Sequence, residues 1–198
     1  MSDAAHPSDL LMQQAYEQLQ TGRFEEAVET FSTSLSLQPR TAQALRGRGL
    51  AYAQLQRWPL AVADFRAVHE LAPEDLETWV DLATSMSMIH EQTYQAIEQF
   101  EQLLNAHPDC LRGQFELGML HLRLGAIPKG RQHLQHALAC RPSFEQRRQI
   151  ESILGQQDKL DHKRFYRPDF EALHQQEMKQ AADFGERLRS WWVRWRKK

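Results

Sequence analysis

Cysteine is scarce in this 198-residue chain: Cys110 and Cys140 stand alone, and neither lies in a C-x-x-C pair. A disulfide framework is therefore excluded, and two reduced thiols are expected. Long apolar runs are missing as well. Uncharged stretches such as Leu82 to His90 fall far short of the ~20 residues that a bilayer crossing needs, which argues against a membrane-spanning helix. The first nine residues carry Asp3, His6, Pro7 and Asp9 without a basic cluster or an apolar core, so no secretory signal is read there and a cytoplasmic chain is expected. There is no Gly-rich phosphate loop, no H-E-x-x-H and no G-x-S-x-G. Carboxylates are abundant but scattered, so the expectation is of a chain that is not an enzyme and needs no cofactor. His133 and His136 sit three apart, yet a third and fourth metal ligand have no obvious source, and a solvated helix face is the reading taken.

Charge is nearly balanced over the whole chain, with 24 Lys+Arg against 26 Asp+Glu, but it is unevenly distributed. Residues 1–142 hold 11 basic and 17 acidic side chains, whereas residues 143–198 hold 13 basic and 9 acidic. The positive charge is densest at the end. Arg187, Arg189, Arg194, Arg196, Lys197 and Lys198 face a single acid, Glu186, over the last thirteen residues.

Four of the eight prolines reveal an internal repeat, because Pro39, Pro73, Pro108 and Pro142 are spaced by 34, 35 and 34 residues. Eight before each proline stands a large apolar residue (Phe31, Phe65, Phe100, Leu134), and twelve before it a small one (Ala27, Ala61, Ala96, Gly130). Those two places share one helix face. Upstream, a second pattern reads Leu45, Gly49, Tyr52 in the second copy, Trp79, Leu82, Ala83, Met86 in the third, and Leu117, Gly118, His121 in the fourth. The first copy is weaker, with Leu11, Ala15 and Gln18. Turns fall at Thr21-Gly22-Arg23 and Leu124-Gly125-Ala126, and each proline ends a helix because it lacks an amide donor. One extra residue around His90 to Thr93 predicts a longer turn in the third copy.

This pattern resembles the tetratricopeptide repeat (TPR) family over roughly Ser8 to Pro142. The implied fold is all-α: a right-handed α-solenoid of four TPR-like helix pairs, in which Gly49, Ala83 and Gly118 permit close helix approach and the phenyl rings fill the space between successive pairs. The resemblance also implies a function, a protein-protein interaction scaffold or adaptor. Its concave groove, lined by the first helix of each pair, maps onto Met12, Tyr16, Leu50, Val80, Met88, Phe115, Met119 and Leu122, with Arg46, Asp81, Arg112 and Glu116 among them. Such a groove reads as largely apolar and suited to a helical or apolar peptide segment of another protein. The carboxylate-clamp form of the groove is not expected, since its basic and amide places are held by Met12, Tyr16, Gly47, Glu77 and Asp81.

Residues 1–7 read as a flexible N-terminus, 8–142 as the repeats, 143–165 as a capping helix and 166–198 as a long basic, Trp-rich helix. Ser143-Phe144-Glu145-Gln146 is a capping-box sequence, and Ile150, Ile153, Leu154 and Leu160 give the helix after it an apolar side that can cover the last repeat, with Gly155 as a weak point. From Asp169 onward Phe170, Leu173, Ala181, Phe184, Leu188, Trp191 and Trp195 form one stripe, flanked by Trp192 and interspersed with Arg194 and Arg196. Three partners for that surface are open: protein, its own chain or a second copy; a membrane surface, which Trp beside Arg and Lys would suit; and nucleic acid, which the acidic repeats disfavour.

Overall fold

The computed structural model describes residues 7–162, and among these the only regular structure is helical. Four antiparallel pairs follow one another: α1 (Pro7–Gln20) with α2 (Phe24–Leu37), α3 (Ala42–Gln54) with α4 (Trp58–Leu71), α5 (Leu76–Ser87) with α6 (Thr93–Ala106), and α7 (Leu111–Arg123) with α8 (Ile127–Ala139). A ninth helix, α9, spans Phe144–His162. The all-α repeat architecture and the four pairs expected from the proline spacing are therefore present. The extra residue of the third copy is taken up by a 3-10 turn over His90–Gln92. By compactness the chain divides into Met1–Glu116 and Leu117–Lys198, and each unit is described by itself below.

In the first unit α2 and α4 each send an aromatic side chain onto a place on α3 that has no side chain to meet it. The Phe31 ring of α2 is fully buried against Gly47 of α3, so near that a Cβ there would lie 2.3 Å from the ring. Phe65 of α4 packs on Gly49 in the same way, with 2.8 Å left for a Cβ. Gly47 thus joins successive pairs and Gly49 closes a pair from within. Around Phe31 gather Ala15, Ala27, Leu35, Ala44, Leu45 and Val68, all buried. The second unit repeats the motif at Gly118 and Gly130, which put the α7 and α8 backbones in contact: a Cβ on either would lie within 3.1 Å of the other's carbonyl oxygen.

In the first, second and fourth pairs the turn reverses the chain with one left-handed residue. Gly22 (φ 77°) and Gly125 (φ 81°) hold it in the first and fourth copies, as their turn sequences predict. Gln56 (φ 57°) holds it in the second, closed by Arg57 N–H donating to the Tyr52 carbonyl (2.9 Å). A side chain in that region is unfavourable by ~1–2 kcal/mol, so the second turn is maintained by its flanking helices. Polar bracing adds to the apolar contacts. Arg48 of α3 forms a bidentate pair with Asp64 of α4, both bonds 2.8 Å, and also donates to Ser32 Oγ of α2 (3.2 Å), so one guanidinium ties three helices.

In the second unit the capping box is formed as expected. Gln146 N–H donates to Ser143 Oγ (3.3 Å) while the Gln146 side-chain oxygen accepts from Ser143 N–H (2.9 Å). Ile150 of α9 is buried, Ile153 and Leu154 are half-buried, and α9 runs unbroken through Gly155. The Leu160 side chain and everything after His162 lie outside the described residues.

The close seat of Phe31 sets a measurable demand on Gly47. Gly47→Ala adds a methyl where the ring already sits, and the repacking should destabilise the chain by about 1–3 kcal/mol in denaturant melts. Gly22→Ala is no control for this effect, because its strain is in the backbone. Gly155→Ala, with open space around it, should be neutral or slightly stabilising.

Candidate functional site

The face assigned to a partner is carried by the first helix of each pair. At its α1 end, Tyr16 is half-buried with its ring edge against Phe31 (centroids 5.1 Å apart), and its hydroxyl donates to the Gln43 carbonyl at the start of α3 (2.9 Å). Burial raises its pKa, with Arg46 opposing in part, so the hydroxyl remains a donor. Met12 packs beside the same core. Leu50 on α3 and Phe115 on α7 are half-buried, and Met88, just past α5, is 44% exposed.

The middle of this face is not apolar, which corrects the sequence reading. Asp81 of α5 is only 4% exposed and lies between two arginines, Arg46 of α3 (3.4 Å) and Arg112 of α7, whose other terminal nitrogen meets Glu77. Burial would lower the Arg112 pKa, but the Asp81 carboxylate and then Glu77 outweigh it and the net shift is upward, so the guanidinium stays charged. The reason lies in the repeat itself: opposite charges 35 residues apart, Arg46 with Asp81 and Glu77 with Arg112, meet across successive copies, and Asp81 lies one helix turn beyond Glu77, within reach of the same Arg112. Val80 is the second correction. It is fully buried and belongs to the core, not to the face.

Two hollows flank the charged row. One, of about 360 Å³, is lined by Tyr16, Gln43, Arg46, Val68 and Asp75. The other, of about 440 Å³, is lined by Leu50, Trp58, Phe65 and Met88 and by the polar Gln54, Gln56, Thr84, Ser85, Asp81 and Arg112. Each has an orphaned polar atom on a lining residue: Arg46 Nε and Thr84 Oγ1 are buried without a hydrogen-bond partner. Such atoms carry a desolvation penalty that a bound group could relieve. The sequence pattern contains no signal for them.

In the second unit Met119 is half-buried and Leu122 is buried against Gly130, so Leu122 too is a packing residue. His121, absent from the sequence reading of the histidines, stacks on His133 (5.5 Å between centroids), and His136 meets His133 edge-on (6.4 Å). Burial, then His136 and Lys129, lower the His133 pKa. Phe184, Leu188, Trp191, Trp192, Arg194, Trp195 and Arg196 lie outside the described residues.

Asp75 ties the first hollow to the start of α5. Its carboxylate accepts from the Glu77 and Thr78 backbone N–H groups and from the Thr78 hydroxyl (2.6 Å). Burial would raise its pKa, but the Thr78 bonds, Arg46 and the Glu77 amide outweigh it, and the net shift is downward. Asp75→Ala should therefore cost about 1 kcal/mol near neutral pH. A depressed carboxyl stabilises fully above its unfolded pKa and loses that effect as pH falls through the folded one. The gap between wild type and variant in urea melts should accordingly close as the pH is lowered below about 4.

Comparison with known proteins agrees with this architecture. A family model described as "Tetratricopeptide repeat" matches residues 12–75 and 91–143, together more than half of the chain. Sperm-associated antigen 1 of Rattus norvegicus is 34% identical over 90 residues, which is 45% of this chain but only 10% of that protein. Among solved structures, TTC0263, a thermophilic TPR protein of Thermus thermophilus, matches with a TM-score of 0.64 and 17% identity, over 92% of this chain and 96% of that one. The first TPR of Spaghetti (RPAP3) bound to the HSP90 peptide SRMEEVD matches with a TM-score of 0.54 and 16% identity, over 60% of this chain and 93% of that one. The repeats, their seating of ring on glycine and the family match lead to one conclusion: the chain belongs to the tetratricopeptide repeat family.

Proposed function

We propose that this protein is a non-enzymatic scaffold that binds a helical or apolar segment of another protein on the face of its first helices. The observation that carries the reading is a face with apolar flanks, Leu50 and Met88, beside hollows whose orphaned Arg46 Nε and Thr84 Oγ1 await a partner group. The charged groups between them are committed to one another as guanidinium–carboxylate pairs, an arrangement suited to holding a surface in shape. Recognition of a peptide by a related fold, the RPAP3 repeat with its HSP90 peptide, supports the same class of activity. Met12, Tyr16 and Phe115 extend the contact face, and the chain acts in the cytoplasm. Affinity isolation from a source lysate tests this. Leu50→Glu with Met88→Glu should remove partners that wild type retains, at an unchanged circular dichroism spectrum, and identical partner lists would count against the groove.

A second reading rests on the composition of residues 184–198, where three tryptophans accompany six basic side chains. That segment is suited to a further contact, with protein, with a second copy of the chain or with an anionic membrane face, the last making the protein a peripheral assembly factor. Sedimentation with liposomes separates these. Salt-sensitive binding to anionic but not neutral vesicles, lost on deleting Phe184 to Lys198, is the expected result for the membrane contact, and no binding to either would leave protein as the partner.

A further inference from the structure

The hollow between α3 and α5 allows the partner's chemistry to be stated, on the reading that this face is a docking surface. One side of it is apolar and aromatic, Leu50, Trp58, Phe65 and Met88, the other is polar, with Gln54, Gln56, Ser85, Asp81 and Arg112, and its volume of about 440 Å³ accommodates one large side chain. Thr84 Oγ1 lies buried on its lining with no hydrogen-bond partner. Charge surrounds it asymmetrically. Residues 1–116 contain 17 acidic and 7 basic side chains, a net of −10, and the one basic group on the lining, Arg112, is already engaged by Asp81 and Glu77. Glu77, paired with Arg112, is itself 57% exposed. An approaching segment therefore meets an apolar socket in a negative field.

We propose that this socket receives a large apolar side chain of a basic amphipathic helix belonging to a partner protein, with the partner's lysines or arginines directed toward the carboxylate-rich surroundings. A helix presents one apolar anchor every three to four residues and leaves its other face free for cations. An acidic helix with the same apolar face meets the same socket but is repelled by the field around it.

The test uses the full chain and three fluorescent peptides of ~15 residues with one apolar face of leucines around a central tryptophan, the opposite face being all lysine, all glutamate or all serine. Anisotropy titration should show the lysine peptide binding at least ten-fold more tightly than the glutamate peptide, with its advantage shrinking as salt rises. Met88→Lys places a cation on the exposed rim and should weaken the lysine peptide at least ten-fold at an unchanged melting temperature, while Thr84→Val should weaken it by a smaller factor. If the glutamate or serine peptide binds as well as the lysine peptide, the basic partner is overturned and the groove reading survives. If the lysine peptide binds but ignores Met88→Lys, the socket is overturned and diffuse attraction explains the binding. If no peptide binds, this partner is overturned, and the affinity isolation with Leu50→Glu and Met88→Glu decides the groove reading separately.

Discussion

Contact between a phenyl ring and a helix stripped of its side chain is the constraint on which this structure depends. Phe31 on Gly47 and Phe65 on Gly49 draw the helix axes close enough for the small residues around them, Ala15, Ala27, Ala44 and Ala51, to bury completely. A ring is large enough to make many dispersion contacts at once, and it is rigid, so it loses little freedom on burial. The separation of neighbouring helices is thereby fixed, and with it the spacing of every residue on the face of α3 and α5.

Polar ties operate within limits set by that packing. α3 is held from two sides: Arg48 reaches toward α4 and α2, and Arg46 toward α5. Arg48 stands at the place that Leu82 and Leu117 occupy in later copies, so the second copy exchanges an apolar contact for a guanidinium fork over a carboxylate that is 6% exposed. A buried pair of this kind adds little net stability against a well-packed leucine, because desolvation offsets most of the Coulombic attraction. Its effect is directional. A leucine could tolerate a small slide of α4 along α3, whereas two parallel hydrogen bonds of 2.8 Å cannot.

The proline spacing exposed the helix pairs because each copy must solve the same packing problem with residues of the same size, and periodic size is visible in a string of letters. The face proved less legible. Arg46, Asp81 and Arg112 could be placed on it by counting, but reading it as largely apolar ignored that a long charged side chain reaches its counterpart one repeat away. Val80 and Leu122 shared the periodicity of face residues, yet both are buried in packing between helices. His121 escaped notice beside His133 and His136 because its contact crosses from α7 to α8, a relation that local spacing does not encode. Gln56 was invisible for a different reason: its conformation is imposed by its neighbours, and glutamine has no preference that would announce it.

The ion pairs of Asp81 also have a mechanical meaning within the first unit. Stacked helix pairs flex by opening one side of the stack while the other compresses. Arg46, Asp81, Arg112 and Glu77 lace the first helices of three successive copies, whereas α4 meets the next first helix, α5, through contacts such as His69 on Trp79. Opening is therefore resisted on the laced side. A partner docking on the laced face, as proposed, would meet a surface already braced, and little of its binding free energy would be diverted into bending the repeats.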